Sequence, residues 1–429
     1  MKIVQSLHRE VAVAIIGAGA AGLAAAHTLA RAKIPFLLID SRGRLGGRAY
    51  TDTSHRRPLD LGCGWLHSAN KNPWAAIAYK MGFHIDKTPP PWEKQSCDQG
   101  MSAAEQKEFQ EAFKAFEKRI DAAELPQDQP AAAFLEPQSR WNPLMHAICS
   151  YLNGAELGAV SAQDYKNYQD TEVDWRIKEG YGALIAAYGA GLPTALRTRV
   201  LSIHHEGRLL KLHTDRGDVH AQQVIVTAPT SALATETLRF VPELPDKVDA
   251  ATHLPLGLVN KLFLACDQPE MFPSDGHFFG DWNTAATGSY HLRPFGHAVV
   301  EVFLGGSLAR DLAAEGAAAH ADFAVGELVK LLGADVRKHL KKLALSAWHE
   351  DPSVRGSYSY AEVGHAGARE LMARPIDDRL FFAGEACSVA SFATAHGAFQ
   401  TGVEAARALL ASRAHARAPK ATTHFRLDT

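Results

Sequence analysis

The residues best suited to chemistry in this chain are a glycine turn, an acid, an arginine and a lysine. Gly17-Ala18-Gly19-Ala20-Ala21-Gly22 follows directly on the apolar run Val11–Ile16, the arrangement of a turn that cradles a dinucleotide pyrophosphate. Gly17 permits the tight turn, Gly19 lets backbone approach the phosphates, and Gly22 lets the next helix pack on the strand. The phosphates then meet the unpaired N–H groups at the helix N-terminus. Asp40 closes a second apolar segment, Phe36-Leu37-Leu38-Ile39, at about the separation of a carboxylate that binds an adenosine ribose hydroxyl. Ser41-Arg42-Gly43-Arg44-Leu45-Gly46-Gly47-Arg48 adds a second glycine turn, with Arg48 as a charge-assisted donor to phosphate. Lys261 stands inside the apolar run Leu258–Leu264, where an ammonium costs desolvation unless it is partnered or reaches water.

These groups need elements to hold them. Val11–Ile16 reads as a buried parallel strand, a helix follows, and Pro35 precedes a second strand. A signal-peptide core or membrane span over Val11–Ala30 is the competing reading, since the stretch is nearly uncharged. The three-glycine spacing, the polar pair His27-Thr28 and the acid in its expected place decide against it. The arginine turn read alone is an ordinary basic loop, and Lys261 read alone is an edge-strand lysine facing solvent.

The 429 residues are 46% hydrophobic and 21% charged, enough for two domains with sizeable cores. Lys+Arg 45 against Asp+Glu 47 leaves a net charge of −2, which gives no electrostatic case for nucleic acid or an anionic membrane as partner. The cysteines at 63, 97, 149, 266 and 387 form no CxxC pair, so neither a disulfide framework nor a metal site is expected, and a reducing, cytoplasmic setting is. The 21 histidines are dispersed and are read mostly as surface residues.

Pro89-Pro90-Pro91 marks a crossing into a second domain. Phe109, Ala112, Phe113, Phe116 and Ile120 form an amphipathic stripe expected to pack on the chain's own core. Glu156, Asp164, Asp170, Glu172 and Asp174 give the middle region an acidic bias, read as a solvated face or as residues that steer a polycation. Segments at Arg199–Ile203, Leu209–His213 and Val224–Thr227 read as a strand meander. Leu380–Ala386 is a strand entering a glycine turn, Thr394–Ala398 opens a last helix through about Leu410, and Ala411–Thr429 is expected to be a disordered basic tail.

The first glycine turn, the acid after the second strand and the RGRLGGR turn, at this separation, resemble the flavin-dependent amine oxidases. That family includes monoamine oxidases, polyamine oxidases and flavin-type histone demethylases. The resemblance spans nearly the whole chain and implies FAD, held by Gly17, Gly19, Ala21, Gly22, Asp40, Ser41, Arg42, Gly46, Gly47 and Arg48. Asp40 stands where the family has a glutamate, one methylene longer. Leu59–His67 resembles the segment beneath the isoalloxazine, so Gly62, Cys63, Gly64 and Trp65 would touch flavin and His67 would face substrate; a histidine simply packed beside Trp65 is the other reading. Val200 matches a position that contacts adenine.

Lys261 matches the lysine that binds a water beside the flavin's reactive nitrogen. Trp348–Tyr360 resembles the polyamine oxidase and demethylase branch, with Trp348 and Tyr358 lining flavin and substrate. Ser357 stands where monoamine oxidases carry the attaching cysteine, which implies non-covalent FAD. Gly384, Glu385, Thr394 and Ala395 belong to the second FAD signature, and Thr394 replaces a tyrosine of the monoamine oxidase cage.

The implied fold is α/β: a doubly wound FAD-binding domain from 8–88, 195–255 and 375–412, and an inserted α+β substrate domain from 89–194 and 256–374, with a mixed sheet plus helices. The implied catalytic set is Lys261, Tyr358, Thr394 and His67, acting on a polyamine-like amine. That amine loses a hydride equivalent, the imine is hydrolysed, and dioxygen becomes hydrogen peroxide. An amino-acid oxidase would need an arginine for the substrate carboxylate, and Arg293 and Arg355 are the candidates. Monoamine oxidation, a carbon–carbon desaturase and a chromatin scaffold are the remaining alternatives, the last disfavoured by the lack of sustained heptads. Oligomeric state is left open.

Overall fold

The computed structural model describes residues 9–93 and 100–417. Val13, Ala14 and Ile15 are wholly buried, so Arg9–Ile16 pairs on both edges, in parallel with Phe36–Ile39 and with Gly217–Val226. Such near-continuous apolar strands belong to sheets covered on both faces. The sheet has eight strands, in the order Arg239–Val241, Val200–His204, Leu210–Thr214, Gly217–Val226, Arg9–Ile16, Phe36–Ile39, Thr194–Ala195, with Leu380–Phe382 also on Gly217–Val226. Gly217–Val226 makes this possible: its first half closes an antiparallel hairpin with Leu210–Thr214, and its end pairs in parallel with Leu380–Phe382. Beginning, middle and end of the chain therefore meet in one sheet.

The helices Ala20–Arg31 and Ala395–Arg417 pack together on one face of this sheet. Their approach is close because a Cβ at Gly402 would lie 2.1 Å from the carbonyl oxygen of Ala21. The last helix runs past Leu410, and within it Arg413 donates to Gln222 and Gln223. The tail expected to be disordered is thus helical as far as Arg417. Residues 418–429 lie outside the described residues, as do 1–8 and Cys97.

The second sheet has five strands, in the order Gly276–Phe279, Ser289–Leu292, Val299–Gly305, Val259–Cys266, Leu340–Leu345. Its pairings are all antiparallel, so the mixing of directions lies in the first sheet. One face, with Leu262, Leu264, Tyr290, Val300 and Val302, packs on Leu312, Ala324 and Leu328 of two helices. The other face carries Lys261, His277, His291 and Glu301, all buried. The helix Ala103–Ala122, opened by a Ser102–Glu105 capping box, buries Phe109, Phe116 and Ile120 against Trp141 and Leu144, so the aromatic stripe docks on the chain's own core.

The boundaries differ from those expected. Trp175–Ile177 pairs with Trp65–Leu66 and Ile85–Asp86, and the helix Tyr181–Tyr188 packs into the first core. The chain returns to the cofactor side by about residue 175 rather than 195, because Gly182 allows the helix against the backbone of Tyr50 and Thr51. Ala361, Ala368 and Met372 likewise pack beneath the first sheet, ahead of the expected crossing at 375.

Gly402→Ala forces the two helices apart and should lower stability by about 1–3 kcal/mol, read as an earlier denaturant midpoint with loss of bound flavin; an unchanged midpoint contradicts this packing.

Candidate active site

The first glycine turn closes on itself through Asp40. Gly17, at φ 103°, donates to the carbonyl of Ile39 at 2.8 Å. The Asp40 carboxylate accepts the amides of Ala18 at 2.8 Å and Arg42 at 2.7 Å. A carboxylate has about four acceptor sites, so the shorter acid braces the turn and keeps lone pairs for a ribose. The second turn lies against the first: Gly46 donates to Ala18 at 2.9 Å, and a Cβ at Gly47 would stand 3.1 Å from Cα of Gly19. Side chains at these positions would part the two turns.

The helix Ala20–Arg31 starts with no side-chain cap and no acid in its first turn, which leaves the N–H groups around Ala21 and Gly22 for an anion. Arg42 pairs with Asp351 at 2.9 Å while its Nη2 is buried without a partner. Ser41 donates to Ser353. Val200 begins a strand just after Thr198, whose amide bonds the carbonyl of Asp40 at 2.8 Å. This donor set fits the diphosphate of a dinucleotide.

Arg48 leads to the other half of the site. Its Nη1 donates to the Ser357 carbonyl and to Glu385, both at 2.8 Å. Glu385 also accepts the Ser359 hydroxyl at 2.7 Å and the Ala393 amide at 3.1 Å. Burial works against its charge, but Arg48 and these donors outweigh burial and hold the carboxyl below its usual range. The Glu385 carboxylate, expected in the second FAD signature, is thus occupied by protein donors and braces Arg48. Gly384, at φ 147°, carries the turn beside it.

Thr394 also differs from expectation. Its hydroxyl accepts the Gly397 amide at 2.9 Å and donates to Ser391 at 2.7 Å, so it caps the last helix and offers the site no free hydroxyl. The carbonyl of the next residue, Ala395, accepts the Trp74 indole at 3.1 Å. Tyr358 donates its hydroxyl to the carbonyl of Tyr151, at the end of the helix Asn142–Asn153. Its ring is thereby fixed, and burial pushes its phenol up.

Gly62 lies where a Cβ would meet the Arg48 carbonyl at 1.8 Å. Trp348 donates to Leu61 at 2.9 Å, which steadies the same segment. Burial pushes the Cys63 thiol up, and Trp65 packs against Trp92 and beneath the Arg176 guanidinium. Lys261 reaches this segment from the second sheet: Nζ lies 3.1 Å from the Asp60 carbonyl and 3.0 Å from Glu301, and a Cβ at Gly64 would stand 3.1 Å from it. The lysine is 8% exposed and does not face solvent from an edge.

His67 Nδ1 lies 2.7 Å from Asp174. Burial alone would lower its pKa, but the hydrogen bond and charge of Asp174 raise it above the ordinary value. Asp170, held by Ser68 at 2.9 Å, lies close by, and one ligand-type atom from each of His67, Asp170 and Asp174 falls within 4.8 Å of the others. Burial and the charge of His67 push the neighbouring His396 down to about 4. The acidic region divides: Asp164 is wholly buried in a pair with Arg369, Glu156 pairs with Arg310, and Asp170 and Glu172 are exposed. His277, His291, His320 and His396 are buried, the exceptions among histidines read mostly as surface residues. Arg355 is exposed and Arg293 turns to the Phe272 carbonyl, so neither stands in this site.

Residues 20–410 match the model of the flavin containing amine oxidoreductase family. The chain belongs to that family. It is 30% identical to polyamine oxidase 3 of Oryza sativa subsp. japonica, over 91% of this chain and 87% of that one. Polyamine oxidase 2 of Arabidopsis thaliana is 29% identical, with 93% and 88% covered. A lysine-specific histone demethylase 1 homolog of Oryza sativa subsp. japonica is 27% identical, but this chain spans only 57% of it. A putrescine oxidase solved with putrescine superposes with a TM-score of 0.77 over 94% of this chain and 100% of that one, at 17% identity. The protein is an FAD-dependent oxidoreductase that acts on amines.

Glu301, His291, Asp275 and Arg176 escaped the sequence reading, although Glu301 and His291 interrupt apolar strands just as Lys261 does. Glu385→Ala strips Arg48 and Ser359 of their shared acceptor and should cost about 3 kcal/mol, with weaker flavin retention on gel filtration. The His67–Asp174 pair obeys linkage: because the folded pKa lies above 6.5, its contribution is full below that value and fades as pH rises through the folded pKa. The difference in melting temperature between wild type and His67→Gln should therefore shrink as pH rises; a widening difference contradicts the assignment.

Proposed function

We propose that this enzyme oxidises a polyamine-like amine, with dioxygen as acceptor and hydrogen peroxide as product, in a cytoplasmic setting. The observation that carries the substrate class is the carboxylate pair Asp170 and Asp174 beside His67. A polyamine presents several cationic nitrogens, and exposed or half-buried carboxylates attract such a chain where a monoamine would leave one of them unused. The relatives named polyamine oxidases support the same class. Arg293 is turned to the Phe272 carbonyl, and Arg176, over Trp65, is spent on Asp86 and Asp275, which argues against an arginine kept for an amino acid's carboxylate. The free cysteines at 63, 149, 266 and 387 suit a reducing compartment.

FAD, when bound, supplies the two-electron acceptor. The glycine turns, Arg42 and Arg48 would hold its phosphates, and Gly62–Trp65 would run along its ring. Tyr358, fixed by Tyr151, and Trp348, fixed by Leu61, give rigid walls that orient the amine's reacting carbon. Lys261 sets a cationic N–H donor at the 60–65 segment, where a water can be held for imine hydrolysis or dioxygen reduction. Ser357 spends its hydroxyl on both backbone groups of Val259 and has no thiol for a flavin bond.

Anaerobic mixing of the yellow protein with spermine, spermidine, N-acetylated polyamines, monoamines and amino acids tests the reading: polyamines should bleach the flavin fastest, and bleaching by amino acids alone would overturn the substrate class. Acid precipitation should leave flavin in the supernatant, and a yellow pellet would show a covalent link. Lys261→Met should slow reoxidation about tenfold or more; unchanged reduction and reoxidation rates would remove Lys261 from the mechanism.

A further inference from the structure

Lys261, Glu301 and His291 stand on one face of three adjacent strands. Glu301 is opposite both Phe263 and His291 in the ladder, and Phe303 is opposite Lys261. The face is closed to water, with Lys261 8%, Glu301 7% and His291 3% exposed. Taking charges from water costs several kcal/mol per ion, and apolar residues would build the same face without that penalty. Such a stripe is better explained by use than by stability.

The groups form a line. Lys261 Nζ lies 3.0 Å from Glu301 Oε1, Glu301 Oε2 lies 3.5 Å from His291 Nδ1, and His291 Nε2 lies 3.3 Å from Asp275 Oδ1. Asp275 is the end that meets solvent, its side chain 22% exposed against 4% for His291. His291 therefore has a carboxylate oxygen on each side, Glu301 at Nδ1 and Asp275 at Nε2, each slightly longer than a full hydrogen bond; a small approach at either end makes a bond through which a proton can pass. The other charged or titratable groups facing the line are Asp60, Cys63 and His67 around Lys261, and Arg176, His277 and His297 around His291 and Asp275.

We propose that Glu301 and His291 form a proton line that joins Lys261 to solvent at Asp275 and serves the reduction of dioxygen. The proposal rests on the amine oxidase reading with dioxygen as acceptor. Dioxygen takes two electrons and two protons to become hydrogen peroxide. Both electrons and one proton come from the reduced cofactor, so one further proton must arrive. Lys261 gives it from Nζ, one N–H bond breaking as an O–H bond forms. Glu301 then takes a proton at Oε2 from Nδ1 of His291 and, by turning its carboxyl, passes that same proton to the neutral Nζ; a solvent proton enters His291 at Nε2 beside Asp275, and the ring returns to its first tautomer. Nothing in the line is oxidised; only protons move. Glu301 and His291 act through Lys261 and are positioning residues.

The test uses flavin-loaded Glu301→Gln and His291→Ala. Photoreduction of the flavin before mixing with dioxygen measures reoxidation without any amine, so a wrong substrate class and a wrong proton line fail separately. Reoxidation should fall about tenfold or more in both variants, with a flattened pH profile, while flavin reduction by an active amine stays within about twofold of wild type. Imidazole should restore part of the rate to His291→Ala. The pH titration of the resting flavin absorbance, which needs no turnover, should move by about one unit in Glu301→Gln. Wild-type reoxidation rates and pH profile in both variants overturn the proposal. So does an equal loss in both half-reactions with lowered flavin content and an unmoved absorbance titration, since that pattern marks a purely bracing role.

Discussion

A single buried carboxylate ties this molecule together. Glu385 gathers Arg48 from the beginning of the chain, Ser359 from the segment returning out of the second sheet, and Ala393 from the start of the last helix. The Ser359 hydroxyl is shared with Arg369, whose guanidinium pairs with Asp164 at zero exposure. In a low-dielectric interior each of these charges is tolerable only with its partners in place. The network therefore forms as a unit or not at all. It also explains how a site assembled from distant segments keeps one geometry.

The second sheet shows the same economy in another form. Its helix-facing side is an apolar layer of the ordinary kind, while its inner side bears Lys261, Glu301 and His291. Burial and the charge of Lys261 act in opposite senses on Glu301, and the lysine prevails, so the carboxyl is pulled down to about 2. The ammonium is thus held against the 60–65 segment by a carboxylate partner at 3.0 Å. One sheet anchors the domain on one face and delivers charge to the site on the other.

Much of this is legible in the sequence. The first strand, the glycine turn and the acid at residue 40 follow from hydrophobic run length and glycine spacing, which are local properties. Lys261 was conspicuous because a charge in an apolar strand demands an explanation. Glu301 and His291 carry the same signal, each a polar residue interrupting an apolar strand, but nothing in either segment says that the two lie together. Their meaning lies in a register that places them side by side, and register is a relation between strands far apart in the chain. The burial of His277, His320 and His396 is hidden in the sequence for the same reason.

The chain's own order of residues determined the cofactor cradle, the strand and helix types around it, and the family resemblance that both ends carry. Tertiary structure alone decided which lone pairs were left over. Asp40, Glu385 and Thr394 all stand at expected places, yet the fold gives Asp40 two backbone amides, fills Glu385 with protein donors and turns the Thr394 hydroxyl into a helix cap. A residue's type sets how many hydrogen bonds it can make; only its neighbours in space decide how many remain for a ligand.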